Sequence, residues 1–318
     1  ARLGGFGSKT ARSDDYTTRV RGTCRCREKS ESSARDMSDD IWARVFASAQ
    51  GKQPACPDEP TLTPEQAAGD SVALKKWLRN PIGSRKGIQK FQSFLSATDA
   101  TAWDLLKIPN FLPKGVADGA LNSLKASPSD SWHVQEAVND AGRREDGAGS
   151  TQHRYTVGDG TIDSSDPTTV RHDSESCSAS EAIAGVAAAL QSLQPNKLAV
   201  FQAGRYTRGC FIEPHDDVAY KEVVDEATGC TIRYERELAV ILYFTKSWQE
   251  SMGGCFVDLA TGLEHVPVFN SLVAFRVPRL HEVSEMLTDR ERFSVFGWFY
   301  VPCKDQSTER TEGGSKKR

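Results

Sequence analysis

The stretch that decides the fold is residues 197–217, KLAVFQAGRYTRGCFIEPHDD. It contains two short β-rich runs, 197–204 and 208–213, which predict two β-strands. The second run leads directly into the polar sequence Pro214-His215-Asp216-Asp217. This sequence places an imidazole and two carboxylates beside one strand, and both types of group bind metal ions.

Further β-rich runs continue this pattern towards the C-terminus, and turn signals such as Ala260-Thr-Gly and Thr288-Asp separate them. The runs are 236–244, 254–259, 263–268, 271–277, 279–284 and 292–300. Many short strands after Pro195, with helical sequence gathered before it, favour an α+β fold with a mainly β core. We expect an antiparallel sandwich or jelly roll that is flanked by N-terminal helices.

The sequence before Pro195 predicts mainly helices. A capping pattern at 61–66, with Pro64 at the start of the helix, marks the expected beginning of ordered structure. The predicted helices are about 71–78, 85–95, 113–124 and 178–192, and short strands are expected at 103–108 and near Tyr155.

Composition divides the chain into parts with different expected order. Residues 1–60 form an expected disordered basic leader, and 61–100 form a helical extension. The main domain is predicted at 101–303, with a polar insertion at 139–176 and a disordered tail at 304–318.

Charge and hydropathy exclude some classes of protein. The formal net charge of the 318 residues is -3, which argues against a generally basic nucleic-acid binder. No apolar run reaches the ~18 residues that span a bilayer, so no membrane span is expected. Residues 1–35 carry nine Lys/Arg against four Asp/Glu, a basic end typical of a cleaved targeting peptide or a trimmed start.

The cysteines bear on the compartment. All eight are scattered and form no CxxC pair, so they predict free thiols rather than a disulfide framework or a zinc site. We therefore expect an intracellular protein of the cytoplasm or nucleus, with an organelle as an alternative because of the basic leader.

The first candidate metal ligands are His215 and Asp217. In a strand, residues i and i+2 project to the same side, so this imidazole and this carboxylate can reach one ion. If the alternation of side chains along the strand is shifted by one residue, Asp216 is the candidate ligand instead of Asp217. Alone, the HxD spacing is a weak signal, because short spacings arise by chance.

A second histidine and an arginine strengthen the signal. Two histidines and one carboxylate form the facial triad of Fe(II) oxygenases, which leaves three metal positions open. His281 lies eleven residues before Arg292, and His265 lies eleven before Arg276. We favour the first pair, because Arg292 opens a strand and Ser294 follows two places on. A guanidinium there suits bidentate binding of a carboxylate.

These motifs resemble those of a known family. The sequence from Tyr206 to Asp217 is similar to the Y-x-x-G…H-x-D motif of prolyl-hydroxylase-type 2-oxoglutarate/Fe(II) dioxygenases. The strand from Arg236, the Trp248…Gly253-Gly254 turn and the His281…Arg292-Phe-Ser segment resemble that family's later motifs. The resemblance covers about 104–302 and is closest to the branch that hydroxylates a ribosomal-protein proline (Tpa/Ofd-like), catalytic domain only.

The resemblance implies a double-stranded β-helix and assigns the site. His215, Asp217 and His281 would hold Fe(II), while Arg292, with Tyr206 and Ser294, would bind 2-oxoglutarate. The implied reaction uses O2 to hydroxylate a prolyl residue of a protein or peptide, with ascorbate as reductant and succinate and CO2 as co-products. No catalytic residue beyond the metal ligands is implied.

Several alternatives stay open. The chain can be a 2-oxoglutarate oxygenase for a small molecule or nucleic acid, a non-catalytic sensing or binding module, or a zinc hydrolase that needs no Arg292. The long polar insertion and the absence of the branch's second, degenerate barrel put the ribosomal substrate in question. Residues 219–232 form either a lid or an exposed hairpin loop.

Overall fold

The computed structural model describes residues 63–97, 104–137, 153–158, 162–164, 179–225 and 228–304. These residues all belong to one compact unit, Ala55–Arg318. The leader at 1–60, most of the insertion at 139–176 and the tail after 304 lie outside the described residues. The predicted domain bounds and the predicted disorder stay predictions.

The helices form where the sequence supplies capping residues and an apolar face. The described helices are α1 (Pro64–Trp77), α2 (Arg85–Ser96), α3 (Lys114–Lys125) and α4 (Ala179–Gln191). Thr63 caps α1: its hydroxyl accepts from the Gln66 amide at 3.2 Å, and the Gln66 side chain accepts from the Thr63 amide at 2.9 Å. This reciprocal pair stabilises the first turn. The prediction that the first helix starts near residue 71 is therefore wrong, because the capping pattern is its true start.

The strands account for every β-rich run after Pro195, with shifted ends. They are β1 (Leu106–Ile108), β2 (Trp132–Ala137), β3 (His153–Gly158), β4 (Ile162–Asp163), β5 (Leu198–Tyr206), β6 (Phe211–His215), β7 (Tyr220–Val224), β8 (Thr231–Tyr243), β9 (Phe256–Asp258), β10 (Leu263–His265), β11 (Leu272–Arg276), β12 (His281–Val283) and β13 (Arg292–Pro302).

Strands β2 and β7 were not expected from the sequence. Both have mostly exposed or alternating polar residues, so they give no apolar run. β7 pairs with the start of β8, with Val224 opposite Thr231, so the segment 219–232 is a hairpin in its ordered part.

All strand pairs are antiparallel and form one curled sheet. The order is β1-β11-β8-β13-β5-β3-β6-β12-β9-β10, with β2 on β3, β4 on β5 and β7 on β8. The predicted fold class, a mainly β double-stranded β-helix with N-terminal helices, is confirmed.

The two faces of β8 show where the core and the site lie. Leu238 and Leu242 pack in the main core with α1 residue Leu74 and α2 residue Phe91. Ala239 and Tyr243, on the opposite face, belong to a separate cluster. This alternation follows from the two-residue period of a strand, and it places the helices behind the sheet and the cavity in front of it. None of the described helices is long and apolar enough to cross a bilayer.

Candidate active site

Two histidines face each other across neighbouring strands. His215 is the last residue of β6, and it lies directly opposite His281, the first residue of β12. Their ring centroids are 4.1 Å apart. Antiparallel pairing brings such side chains close together on one face, so the sheet register creates this contact.

Each histidine is oriented by a backbone carbonyl two residues earlier. His215 Nδ1 lies 2.8 Å from the Glu213 carbonyl oxygen, and His281 Nδ1 lies 2.7 Å from that of Arg279. A carbonyl only accepts hydrogen bonds, so each Nδ1 carries a proton and each Nε2 is left for another partner. Nε2 is therefore the ring nitrogen that can bind a metal once it carries no proton.

Asp217 completes the group, although not by the predicted route. It lies beyond the end of β6 and has a φ of 64°, so it does not share a strand face with His215. The left-handed backbone, which Asp tolerates better than most residues, turns the carboxylate back towards the rings. Its Oδ1 lies 3.5 Å from His215 Nε2, and its Oδ2 lies 3.7 Å from His281 Nε2. Asp216 is exposed and its carboxylate instead accepts from the Val218 amide.

His215, Asp217 and His281, called the triad below, offer ligand atoms that all lie within 4.8 Å of one another. Within the described ranges, no other group of three or more His, Cys, Asp or Glu side chains has that geometry. Burial opposes ionisation of Asp217, but the hydrogen bond from His215 and the nearby imidazoles hold its pKa below the usual value. Burial lowers the pKa of His281, which favours its neutral, metal-binding form.

The triad opens into a cavity of about 230 Å³ that Arg292, Tyr206 and Ser294 also line. The three residues are adjacent because β13 pairs with β5: Arg292 lies opposite Tyr206, and Ser294 follows two places on. All six predicted site residues therefore share one cavity.

Arg292 is a buried cation whose partners are aromatic rings. Arg292 is 2% exposed. Its guanidinium carbon lies 4.4 Å from the centroid of the Tyr206 ring and 5.1 Å from the centroid of the Tyr243 ring. Its Nε and Nη1 have no hydrogen-bond partner, and it makes no ion pair with any of the described residues. A buried cation without an anion is costly, so the arrangement is suited to an anionic ligand.

Two contacts were missed by sequence reasoning. The buried Tyr243 hydroxyl has no hydrogen-bond partner among the described residues and lies on the Arg292 side of β8. The alternation Ala239, Ile241, Tyr243 along a strand was the available signal. Arg236 donates from Nη1 to the Asp217 carbonyl at 3.2 Å and stacks 3.5 Å from the Trp298 ring centroid, and no spacing indicated this contact.

The alternative pair does not reach the cavity. His265 contacts Lys107 and stacks on Phe256, and Arg276 donates to the Leu95 carbonyl at 3.0 Å. Neither lines the cavity that holds the triad. The preference for His281 and Arg292 over this pair therefore agrees with the geometry.

A sequence model of the 2OG-Fe(II) oxygenase superfamily matches residues 201–300. Residues 201–300 are therefore similar to the oxygenase domain of this superfamily. The matched range includes the triad, Arg292 and Ser294. The superfamily is named for its use of 2-oxoglutarate and Fe(II).

Individual proteins are also similar to the chain. Mouse prolyl 3-hydroxylase OGFOD1 is 39% identical over 80 residues, which cover 21% of this chain and 14% of the mouse protein. The chain thus spans a small part of that relative's length. A Pseudomonas putida prolyl-4-hydroxylase structure is 20% identical, with a TM-score of 0.42, and covers 67% of this chain and 97% of its own. A 2OG-Fe(II) oxygenase family structure from Burkholderia pseudomallei is 17% identical, with a TM-score of 0.39 and coverages of 69% and 92%.

The residues of the cavity fit both groups that an oxygenase domain of this kind uses. Two imidazoles and one carboxylate are the donor set that suits Fe(II) with open positions. 2-Oxoglutarate is a dianion, and the open Nε and Nη1 of Arg292 can each donate a hydrogen bond to an anionic ligand.

Proposed function

We propose that this chain hydroxylates a proline residue of a protein or peptide. In this proposal His215, Asp217 and His281 hold Fe(II), and Arg292, Tyr206 and Ser294 bind 2-oxoglutarate. The observation that carries it is the buried, unpaired guanidinium of Arg292, which shares one cavity with the triad. A metal-type triad and a buried anion site in the same cavity match a metal enzyme with a dicarboxylate cosubstrate.

The triad residues hold the metal in an open geometry. The two Nε2 atoms and one carboxylate would supply three ligands. A metal held by this donor set keeps open positions for other ligands. When bound, Fe(II) and 2-oxoglutarate supply the oxidising chemistry, which uses O2 to hydroxylate a C–H bond and yields succinate and CO2. The protein fixes the ligand directions through the carbonyls of Glu213 and Arg279.

The Arg292 side of the cavity orients the cosubstrate. The Arg292 guanidinium offers two parallel N–H groups, which favours a carboxylate over a neutral group. The Tyr206 ring covers one face of the guanidinium and excludes water from it. Burial raises the pKa of the Tyr206 hydroxyl, so this group stays neutral and can donate a hydrogen bond to an anion.

The substrate class rests on two supports. The mouse relative is a prolyl 3-hydroxylase by name, and its likeness to this chain is 39% over 80 residues. Apolar rings of Tyr155, Phe256 and Trp298 line the same cavity as the triad, and such walls suit a pyrrolidine ring. The proposal includes ascorbate as the reductant and an intracellular site of action.

Succinate formation tests the proposal. The full chain is incubated with Fe(II), ascorbate and 2-oxoglutarate, and with a peptide array in which each proline peptide has a matched peptide with alanine in place of proline. We expect succinate and a mass gain of one oxygen with proline peptides only. Panels of small metabolites and oligonucleotides run in parallel, and turnover confined to one of those panels would contradict the prolyl substrate.

Variants test the site itself. His281→Ala and Asp217→Ala should each abolish metal retention and succinate formation. His265→Ala is the matched control, because that histidine lies outside the cavity, and it should keep both. If the triad variants kept wild-type turnover and metal content, the assigned site would be wrong.

A further inference from the structure

Arg279, two residues before His281, is held through its amide, its carbonyl and its guanidinium. Its amide N–H donates to the Asp216 carbonyl at 3.4 Å, and its carbonyl accepts from His281 Nδ1 at 2.7 Å. Its guanidinium donates to the Asp258 carboxylate through Nε at 3.1 Å and through Nη2 at 2.5 Å. One residue therefore connects the His215–Asp217 segment, the second histidine and a buried carboxylate.

Asp258 gives this guanidinium a rigid partner. It ends β9, and its backbone lies directly opposite His281 in the sheet. Its carboxylate also accepts from the Thr261 hydroxyl at 2.6 Å and from the Ala260 amide at 3.2 Å. The side chains of Arg279 and Asp258 are 7% and 1% exposed, so solvent does not compete for these bonds.

The energetics of such a pair favour a role other than stability. Removing two charges from water costs about as much as their attraction returns, so a buried ion pair adds little net stability. What a fully hydrogen-bonded, bidentate pair does provide is a fixed geometry. Here the fixed groups are the amide and the carbonyl of Arg279, which contact the Asp216 carbonyl, between two triad residues, and the triad residue His281.

We propose that the Arg279–Asp258 pair is a positioning device for the metal site. It holds the Arg279 carbonyl where it orients the His281 imidazole, and it holds the Arg279 amide where it sets the distance to the Asp216 segment. Arg279 and Asp258 act through His281 rather than on substrate. The inference rests on the proposed function, since it requires that His281 bind the metal.

Titration with Co(II) tests this role without turnover. The full chain is stripped of metal with a chelator, and Co(II) is added while the visible absorption of the bound ion is followed. Asp258→Asn and Arg279→Lys should each weaken Co(II) binding by about 10–100-fold, the usual effect of losing a partner that orients a metal ligand. They should also change the absorption spectrum of the bound Co(II), because the direction of the His281 ligand is no longer fixed.

Two further variants separate positioning from folding. The double variant Asp258→Asn with Arg279→Met leaves no unpaired buried charge, and we expect it to fold and still to bind Co(II) weakly. Asp118→Asn in α3 is the matched control, because the Asp118 side chain is also 1% exposed and is paired with lysines. It should keep wild-type Co(II) affinity and spectrum.

The outcomes separate the positioning role of Arg279 and Asp258 from the proposed metal site. If His281→Ala binds Co(II) as tightly as wild type, the proposed metal site is wrong. If His281→Ala loses Co(II) while the Arg279 and Asp258 variants keep wild-type affinity and spectrum, only the positioning role is overturned. An equal loss in Asp118→Asn would also overturn it, since any buried carboxylate would then have the same effect.

Discussion

Two buried charges in this chain have opposite surroundings. The Asp118 carboxylate, in the helical layer, is paired with Lys114 at 2.8 Å and with Lys246 at 2.6 Å. The Arg292 guanidinium, in the cavity, has aromatic rings around it and no ion-pair partner among the described residues. The first charge is compensated within the protein, whereas the second would be compensated by the anion that we propose binds there. A buried charge without a partner therefore indicates a ligand site, whereas a paired one indicates a structural role.

The largest expected effect comes from Arg292→Met. We expect kcat/KM for 2-oxoglutarate to fall by about 10²–10³-fold, because losing one partner of a buried, charge-assisted pair costs about 3–4 kcal/mol. The free energy of unfolding of the ligand-free protein should not fall, because an unpaired buried charge has been removed. Initial rates and urea unfolding measure the two quantities. Arg292→Lys, which keeps the charge but not the two parallel N–H groups, should lie between wild type and Arg292→Met.

Ligand binding should stabilise the protein through the same residue. With Mn(II) present, 2-oxoglutarate at a hundred times its Kd should add about 2.7 kcal/mol of stability, since it binds the folded state alone. Thermal unfolding with and without 2-oxoglutarate measures this shift. In Arg292→Met the shift at the same concentration should nearly vanish. An undiminished shift would mean that the anion binds elsewhere.

The other side of the comparison is tested by Asp118→Asn. We expect a loss of about 1–3 kcal/mol in the free energy of unfolding, since the lysines lose a buried partner but remain partly in solvent. Turnover with 2-oxoglutarate should stay within about twofold of wild type, because Asp118 lies outside the cavity. Urea unfolding and succinate assays check both parts. A large loss of activity without a loss of stability would contradict the structural role.

Asp118 should also affect how much the free energy of unfolding falls at acid pH. Burial opposes its ionisation, but hydrogen bonds and charges from Lys114 and Lys246 hold its pKa below the ordinary value of 3.8. A lowered pKa in the folded state gives stability that is present above the unfolded value and is lost as pH falls through the folded value. Asp118→Asn should therefore show a shallower loss of stability below about pH 4 than wild type does. Urea unfolding across that pH range measures it, and identical slopes would contradict the pairing.

The smallest expected effect is that of Tyr243→Phe. The buried hydroxyl has no partner among the described residues and lies on the Arg292 side of β8. If it binds the same anion, its removal should raise KM for 2-oxoglutarate by about two- to tenfold, the value of one neutral hydrogen bond. Stability without ligand should hardly change. An unchanged KM would show that Tyr243 only packs against the guanidinium.

Much of the fold and site followed from local sequence signals. The β-rich runs after Pro195 predicted the strands. The place of Arg292 at the start of a strand favoured His281 and Arg292, which line the cavity, over His265 and Arg276, which do not. These signals are strong because each strand must bury an apolar face. Strands β2 and β7 gave no such signal, since their residues are mostly polar or exposed.

The remaining features depend on register and backbone shape. Asp217 joins the histidines through a left-handed backbone, which a regular strand does not contain. The contact of Arg279 with Asp258 depends on how β9 pairs with β12, and no sequence period encodes that register. The Tyr243 ring reaches Arg292 because β8 and β13 are neighbours in the sheet.

The most direct test of the central claim is a crystal structure of the full chain with Mn(II) and 2-oxoglutarate, using anomalous scattering to locate the metal. We expect one peak within about 2.0–2.4 Å of His215 Nε2, Asp217 Oδ and His281 Nε2. We also expect a 2-oxoglutarate carboxylate to accept hydrogen bonds from the Arg292 guanidinium. A metal held by other residues, or a 2-oxoglutarate that does not contact Arg292, would contradict it.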